Sequence, residues 1–520
     1  MTTQLPWGRI SAAFHVPSPG AIWAVSIELP EPRSLWVDTA PAPDRAGRDL
    51  PAEADVVVIG AGIAGLTTAY GLARAGKSVV VLEAAQVASG VSGHTTAKLS
   101  AQHALKYATL TSRKGKPAAT RYGRAQLEAI EWVARTSSEL GIDCGFRRRD
   151  SFVYSTDSSQ LGKLQQEADA AAGAGLPADF VEHVDLPITT VGAVRFVDQA
   201  QFHPRHWLLG LADHIERLGG HVVERVRARK LDERPSPTVH TDRGQVKARD
   251  VVVATHYPIF DRGLYWARLD ITRDLVVAGV GEAPPGMYLD AVTHRSIRGH
   301  TEGDRHYVIV GGEHYRTGEP VDVEARYRRL AEAATTFGVT TATHRWSAHD
   351  MTTLDNVPYI GRYHPATHHV WVATGFGQWG MTGGTSAGLV LTELITGGDH
   401  PAANLYDPNR FDLKSSVTLA EDGAKVGKQY VAGYTRALTS TAGDLAPGTA
   451  KVSRRGADVV ASYRGEDGQL REVSARCTHL GCVVAFNNAE KTWDCACHGS
   501  RFATDGSVIQ GPATRPLPPA

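Results

Sequence analysis

The sequence predicts an α/β protein in two parts: a nucleotide-binding domain interrupted by an inserted antiparallel-sheet substrate domain, then a small all-β domain. Three observations carry this. A strand, a glycine-rich turn, a helix and a second strand follow one another in "DVVVIGAGIAGLTTAYGLARAGKSVVVLE" from Asp55, the order of a βαβ unit. Strand, glycine-rich turn and helix return in "HHVWVATGFGQWGMTGGTSAGLVLTELITGG", so the parallel sheet is assembled from distant segments. Near the carboxyl end, runs such as "ADVVASYRG" and "LREVSARC" are separated by the turns "GEDGQ" and "TDGS", the pattern of short strands in a small β unit.

Taken in order, residues 1–52 are rich in Pro and Ala without sustained periodicity, which predicts an extension or a strap over the domain that follows. The nucleotide-binding part is expected over 53–405, with its nucleotide segments at about 53–110, 200–260 and 350–400. "RDVVVATH" adds a further buried strand, and alternating runs such as "RHYVIVGGEHY" place the antiparallel sheet between those segments. Residues 406–445 become rich in Ser, Thr, Gly and Ala and read as a linker, leaving 446–520 for the all-β domain.

Composition narrows the function classes. A chain of 520 residues needs more than one core. Its 55 basic and 55 acidic side chains balance, so no strong field draws it to nucleic acid or to an anionic membrane. No run of 18 apolar residues and no secretion-type leader are visible, which predicts no membrane span and a cytoplasmic location. Five cysteines, four of them crowded together, do not make a secreted disulfide scaffold and point to metal binding or redox chemistry. The fifth, Cys144, is expected to be a buried free thiol.

In the first unit Gly60, Gly62 and Gly65 have G-x-G-x-x-G spacing. The first permits a tight turn, the second lets a pyrophosphate approach the backbone, and the third lets the helix pack on the strand. The helix amino terminus then faces phosphate. Glu83 closes the next strand, where a carboxylate accepts the hydroxyls of an adenosine ribose; Glu there argues against a 2′-phosphate. The Ser-, Gly- and Thr-rich loop "AAQVASGVSGHTTAKLSAQH" suits a cofactor longer than a nicotinamide domain needs, and "GFGQWGMTGG" opens a helix whose backbone donors suit a flavin. These pieces, with "LDNVPYIGRY", resemble the D-amino-acid oxidase type of FAD-dependent amine oxidoreductase, a likeness covering about 55–400. The resemblance implies an FAD-binding Rossmann-type domain with FAD lined by Gly60, Gly62, Gly65, Glu83, Thr95, Thr96, Val226, Gly377, Gly380 and Met381. In some relatives that oxidise methylated glycines, a His placed as in "SGVSGH" is bonded to the flavin. The following "TTAK" departs from them, so His94 is expected to be a hydrogen-bonded loop residue. Arg298, His256, Tyr257 and Trp379 lie in segments that can face the flavin, Arg298 as a carboxylate clamp; a packing role is the alternative for each.

The crowded segment reads "CTHLGCVVAFNNAEKTWDCACHGS". C-x-H followed by C-x-x-H supplies two thiolates and two imidazoles, Cys477, His479, Cys495 and His498, a set that also suits zinc. A further pair, Cys482 and Cys497, sits beside them. Together these positions resemble the Rieske iron-sulfur domain, particularly that of cytochrome bc complexes. The resemblance implies a [2Fe-2S] cluster with Cys477 and Cys495 on one iron, His479 and His498 on the other, and a disulfide between Cys482 and Cys497. Two departures stand out: Ala496 replaces the usual Pro, and Phe502 stands where a Tyr hydroxyl would bond a cluster sulfur, while Ser500 is kept. Hydrogen bonds to sulfur favour the reduced cluster, so a potential below that of bc-complex domains is expected.

A flavin takes electrons in pairs and such a cluster takes them singly. The expected function is therefore oxidation of an amine or amino acid by hydride transfer to FAD, with electrons passed singly through the cluster to an external acceptor. The whole chain looks like the bacterial FAD-dependent oxidoreductases that carry a carboxyl-terminal Rieske domain. Two alternatives stand beside it: an amine oxidase that reduces O₂ directly, and a non-catalytic redox switch or electron carrier. A Rieske oxygenase is not expected, because after His498 the chain runs only to Ala520, with no further iron domain.

Overall fold

A computed structural model describes residues 28–260, 262–410, 427–439 and 444–520. Four valine-rich strands, buried on both faces as a parallel sheet requires, form the centre of the first sheet: Val370–Thr374, Gly244–Val253, Glu53–Ile59 and Val79–Leu82, side by side and parallel. His221–Val223 extends it on one edge and Tyr359–Arg362 pairs antiparallel on the other. Segments distant in the chain thus lie next to one another, as the two glycine-rich motifs predict. The helices Ile63–Arg74 and Gly380–Thr396 pack together on this sheet through Gly71, Gly384 and Gly388, whose missing Cβ atoms leave room for Thr392, Ile63 and Thr67.

The inserted sheet has nine strands and is mostly antiparallel. Its long strands Leu269–Val280 and Thr341–Thr353 pair antiparallel along nearly their full length. One face turns toward the nucleotide-binding part, with Val276, Ile309 and Trp346 in the same core as Ala97, Phe376 and Met381. The other carries the helix Val323–Thr335, through Tyr327 and Leu330.

Residues 28–52 form a strap. Leu35 and Trp36, in the short helix Leu35–Thr39, are fully buried, and the Trp36 indole donates to the Thr95 carbonyl at 2.7 Å while Ser34 Oγ donates to Gly93 O at 2.6 Å. The loop that follows Glu83 is therefore held from outside by the amino-terminal segment. Residues 1–27 lie outside the described residues.

Antiparallel sheets of three and four strands make up the carboxyl-terminal unit, from Ala450–Arg455 to Val508–Gln510. Trp493 and Phe502 are fully buried in its core, which includes Cys477 and Cys495. In the stretch expected as a linker, 411–426 and 440–443 lie outside the described residues, but 427–439 is helical. Tyr434, Ala437 and the short Gly433 fall at helical spacing and face the all-β unit: Tyr434 Oη donates to Gly481 O at 3.1 Å, and Gly433 lies against Val483. Its Ser/Thr/Gly/Ala composition concealed this apolar stripe. Cys144 is a buried free thiol, and burial pushes it up to about 12. No described helix is long and apolar enough to cross a membrane.

Candidate functional site

The glycine-rich turn is built for close backbone contact. Gly60 has φ +105°, and a Cβ there would lie 2.5 Å from Ala254 O; a Cβ on Gly65 would lie 2.0 Å from Gly60 O. Only glycine permits this packing of strand, turn and helix. The Glu83 carboxylate accepts from Ala61 N at 2.9 Å and Ala85 N at 2.8 Å. Burial raises its pKa above the usual carboxylate value, against those two amide donors and Arg227, which favour the charge. Each of its oxygens keeps a lone pair able to accept a hydroxyl.

These residues open onto a cavity of about 680 Å³ that runs from Glu83, past the turn and the helix amino terminus, to Trp379 and Gly380 on the second glycine-rich segment. That volume is in the range of cofactor sites. Gly60, Gly62, Glu83, Thr95, Thr96, Val226, Gly380 and Met381 all line it, as do His94, His256 and Trp379. Gly65 lies behind the turn as a packing glycine. His94 Nδ1 lies 2.9 Å from Gly90 O, a hydrogen-bonded loop residue.

Besides Gly65, three sequence-selected residues lie off the lining. Gly377 uses its N–H on Met351 O at 3.0 Å. Arg298 is fully buried beneath the strap; it donates to Ala97 O at 2.6 Å and its guanidinium lies 5.1 Å from the Trp36 ring. It holds the loop from behind, not as a clamp in the cavity. Tyr257 is buried and turns toward the other centre, its ring 6.4 Å from that of His479 and 6.1 Å from that of His498.

That centre is made of two matched loops. Gly481 N donates to Cys477 O at 2.9 Å and Gly499 N to Cys495 O at 3.0 Å, and both glycines have φ +79°. The loops bring the Nδ1 atoms of His479 and His498 to 3.2 Å. Cys477 and Cys495 are buried thiols, and a disulfide joins Cys482 to Cys497 across the loops. The sulfurs of Cys482, Cys495 and Cys497 lie within 4.8 Å of one another, but the disulfide withdraws two of them, leaving Cys477 and Cys495 to act as thiolates. Two buried thiols, the buried His498 and the half-buried His479, brought together by the paired loops, fit a [2Fe-2S] cluster. Ser500 hydrogen-bonds toward Cys477 and accepts from Ala513 N at 3.0 Å. Phe502 is fully buried against Trp493 and Val508.

The two sites meet. Arg501, Val508, Gln510 and Thr514 of the carboxyl-terminal unit line the cavity. His349 stands between: its ring meets the open side of Gly499, next to His498, and Gln510 Nε2 hydrogen-bonds to its Nδ1. Its carbonyl contacts His256 Nε2 at 2.9 Å. Around it a charged seam closes the junction, with Glu490 paired to Arg501, Tyr327 Oη donating to Glu490 at 3.1 Å, and Arg273 at 3.9 Å. Sequence reasoning missed the strap residues Ser34 and Trp36 and this wall; neither has a spacing signal, because both are made by tertiary contact. It also passed over Asp274 and Asp350, which line the cavity; the one available signal was an acid within a strand that is otherwise largely buried.

Comparison with known proteins agrees with this division. The model of the family "FAD dependent oxidoreductase" matches residues 55–394, and that of the "Rieske [2Fe-2S] domain" matches 436–520. A Bacillus subtilis protein described as a Rieske 2Fe-2S iron-sulfur protein, YhfW, is 33% identical over 516 residues, covering 97% of this chain and 98% of its own length. The gamma-glutamylputrescine oxidoreductase of Escherichia coli is 25% identical over 380 residues, 70% of this chain and 86% of that protein. Among solved structures, glycine oxidase from Geobacillus kaustophilus superposes with a TM-score of 0.59 at 17% identity, covering 70% of this chain and all of that one, a likeness of fold.

Proposed function

From the premise that this chain belongs to the FAD dependent oxidoreductase family and carries a Rieske [2Fe-2S] domain, we propose that it oxidises an amine or amino acid and delivers the electrons one at a time to an external acceptor. When bound, FAD supplies acceptance of a hydride from the carbon bearing nitrogen, and the cluster supplies one-electron relay. The observation that carries this reading is the shared wall: the carboxyl-terminal unit lines the same cavity as the glycine-rich turn.

The chain's own residues divide the work. Gly60, Gly62 and the amino terminus of Ile63–Arg74 receive the pyrophosphate, and Glu83 receives the ribose. Thr95, Thr96, Val226, Gly380 and Met381 enclose the remainder of FAD. Cys477 and Cys495 hold one iron, and His479 and His498 the other. Trp379, stacked on His103 at 4.7 Å between ring centres, gives the donor a rigid apolar wall that excludes water and orients it. His256 is held neutral, burial pushing it down to about 4, so it places no positive charge beside a donor amine. Tyr257 and His349 fill the space between the cavity and the histidine loops with packed side chains.

Anaerobic mixing with a panel of amines and amino acids tests this, with flavin bleaching and cluster reduction followed separately. The expected result is both signals from one donor, and in His498→Ala bleaching without electron delivery to a one-electron dye. Peroxide formation in air undiminished by His498→Ala would instead mark a direct oxidase.

A further inference from the structure

Two carboxyl groups line the cavity outside the set assigned to FAD. Asp274 lies on the strand Leu269–Val280 and Asp350 on its antiparallel neighbour Thr341–Thr353. Asp274 is in register with Ala348 and Asp350 with Thr272, which makes the two acids diagonal neighbours on one face of the sheet, about 7 Å apart. Val276 and Trp346 share that face and belong to the core that includes Phe376 and Met381. Strand alternation turns Arg273 to the opposite face, where its guanidinium donates to Ser347 Oγ and lies 3.9 Å from Glu490.

Asp274 Oδ2 accepts from Gln378 Nε2 at 2.8 Å. Asp350 is only 7% exposed; its Oδ1 accepts from Met351 N at 2.8 Å, while its buried Oδ2 has no hydrogen-bond partner among the described residues. A buried carboxyl oxygen without a donor is costly, and a second acid beside it adds repulsion. Burial pushes Asp274 up to about 6 and Asp350 well above the carboxylate range, with the Asp274 charge adding to the latter.

Four Lys and Arg side chains are among the described lining residues. Arg273, whose Nη1 has no hydrogen-bond partner among the described residues, favours the Asp274 charge from the opposite face. Lys106, outside the lining, favours the Asp350 charge while donating to Asn356 O at 2.8 Å. The other three lining cations are engaged away from the acids. Lys98 Nζ donates to Tyr288 O at 2.6 Å, Arg227 donates to Val508 O at 3.3 Å, and Arg501 is paired with Asp494 and Glu490. No cation among the described residues pairs directly with either acid, whose donors are Gln378 Nε2 and Met351 N, so a ligand's ammonium group would supply the missing direct partner of Asp350 Oδ2.

We propose that the donor is a cationic alkylamine with no carboxylate on the reacting carbon, its ammonium group received by Asp350 with Asp274 beside it. This deepens the reading of the site as an amine oxidoreductase and rests on it. The selection works through the protons: an entering ammonium group favours the charged form of both acids against the burial that protonates them, whereas the α-carboxylate of an amino acid beside them favours only the protonated form.

The test is isothermal titration of the FAD-loaded full chain with tert-butylamine, a cation with no hydrogen on the carbon bearing nitrogen and hence no hydride to give. Pivalate is the anion of matching shape. The amine is expected to bind and pivalate to fail. Asp350→Asn is expected to weaken the amine roughly tenfold to a hundredfold, the range for losing a charged hydrogen bond, and Asp274→Asn to weaken it less. Pivalate binding as tightly as the amine, no amine binding, or an unchanged amine affinity in Asp350→Asn overturns the proposal; the amine-against-anion comparison needs no variant to fold. Flavin bleaching by glycine or sarcosine with none by 1,4-diaminobutane also overturns it, yet leaves oxidation of an amine donor standing. Bleaching by no donor removes both.

Discussion

The flavin cradle draws its walls from segments spread between Ile59 and Thr514 and depends on close backbone packing at its glycine-rich turn, whereas the cluster site takes its four ligands from the short run Cys477 to His498 and presents side chains. One is specified by what is missing, the Cβ atoms of Gly60 and Gly65; the other by what is present, two sulfurs and two imidazoles. The difference teaches where each is vulnerable. A ligand set fails when any one member is lost, while a cradle fails where a single atom is added.

The largest effect tests the second half of that contrast. Cys477→Ser is expected to abolish the cluster, with loss of its electron paramagnetic resonance signal and of bound iron, while the flavin spectrum of the protein persists. Next comes the cradle. Gly65→Ala places a Cβ 2.0 Å from Gly60 O, where the neighbour is backbone and cannot yield. FAD affinity, read from the flavin retained after gel filtration, is expected to fall roughly fivefold to 150-fold, the equivalent of overpacking by about 1–3 kcal/mol. Gly173→Ala, outside the cavity lining and with nothing within 4 Å of the added atom, is expected to keep its FAD; comparable loss in both variants would break the comparison.

A third expectation concerns the seam that joins the halves. Glu490→Gln leaves Arg501 and Arg273 short of a buried partner, at a cost of about 3–5 kcal/mol, and is expected to separate one thermal transition into two. Burial alone would raise the Glu490 pKa, but the Arg501 and Arg273 guanidiniums prevail and hold it at about 2, below its ordinary 4.5. A depressed carboxylate pKa contributes stability that is full above the unfolded value and is lost as pH falls from about 4.5 toward about 2. Acid titration followed by calorimetry is expected to show the wild type losing stability over that window and Glu490→Gln losing less.

The smallest effect sharpens the cluster side. Phe502→Tyr restores a hydroxyl at the position where a bc-type domain carries one. A bond worth about 1–2 kcal/mol between redox states raises the midpoint potential by roughly 40–90 mV. Redox titration of the cluster checks it, and an unchanged or lower midpoint would contradict the expectation.

How much was legible follows from the same contrast. Side chains at fixed spacing announce themselves, so Cys477, His479, Cys495 and His498 and the Cys482–Cys497 pair could be selected from sequence, and the structure brings the six together. The glycine-rich turn was legible because its motif is local. The support that Trp36 gives the loop at Thr95, and the walls contributed by Arg501 and Gln510, were not, since each is brought in by folding from a remote segment with no periodicity of its own. For Arg298 the sequence left a carboxylate clamp and a packing role side by side, because only the fold shows that it meets the Ala97 carbonyl and the Trp36 indole. The helix at 427–439 was hidden by a composition that resembles a linker.

The central claim is that a pair of electrons entering at the flavin leaves through the cluster of the same chain. Anaerobic photoreduction of the bound flavin with EDTA, followed by the flavin's visible band and by the resonance signal of the reduced cluster, tests it most directly. The account predicts cluster reduction that trails flavin reduction at a rate independent of protein concentration. A rate that rises in proportion to concentration, or a bleached flavin beside a cluster that stays oxidised, would contradict it.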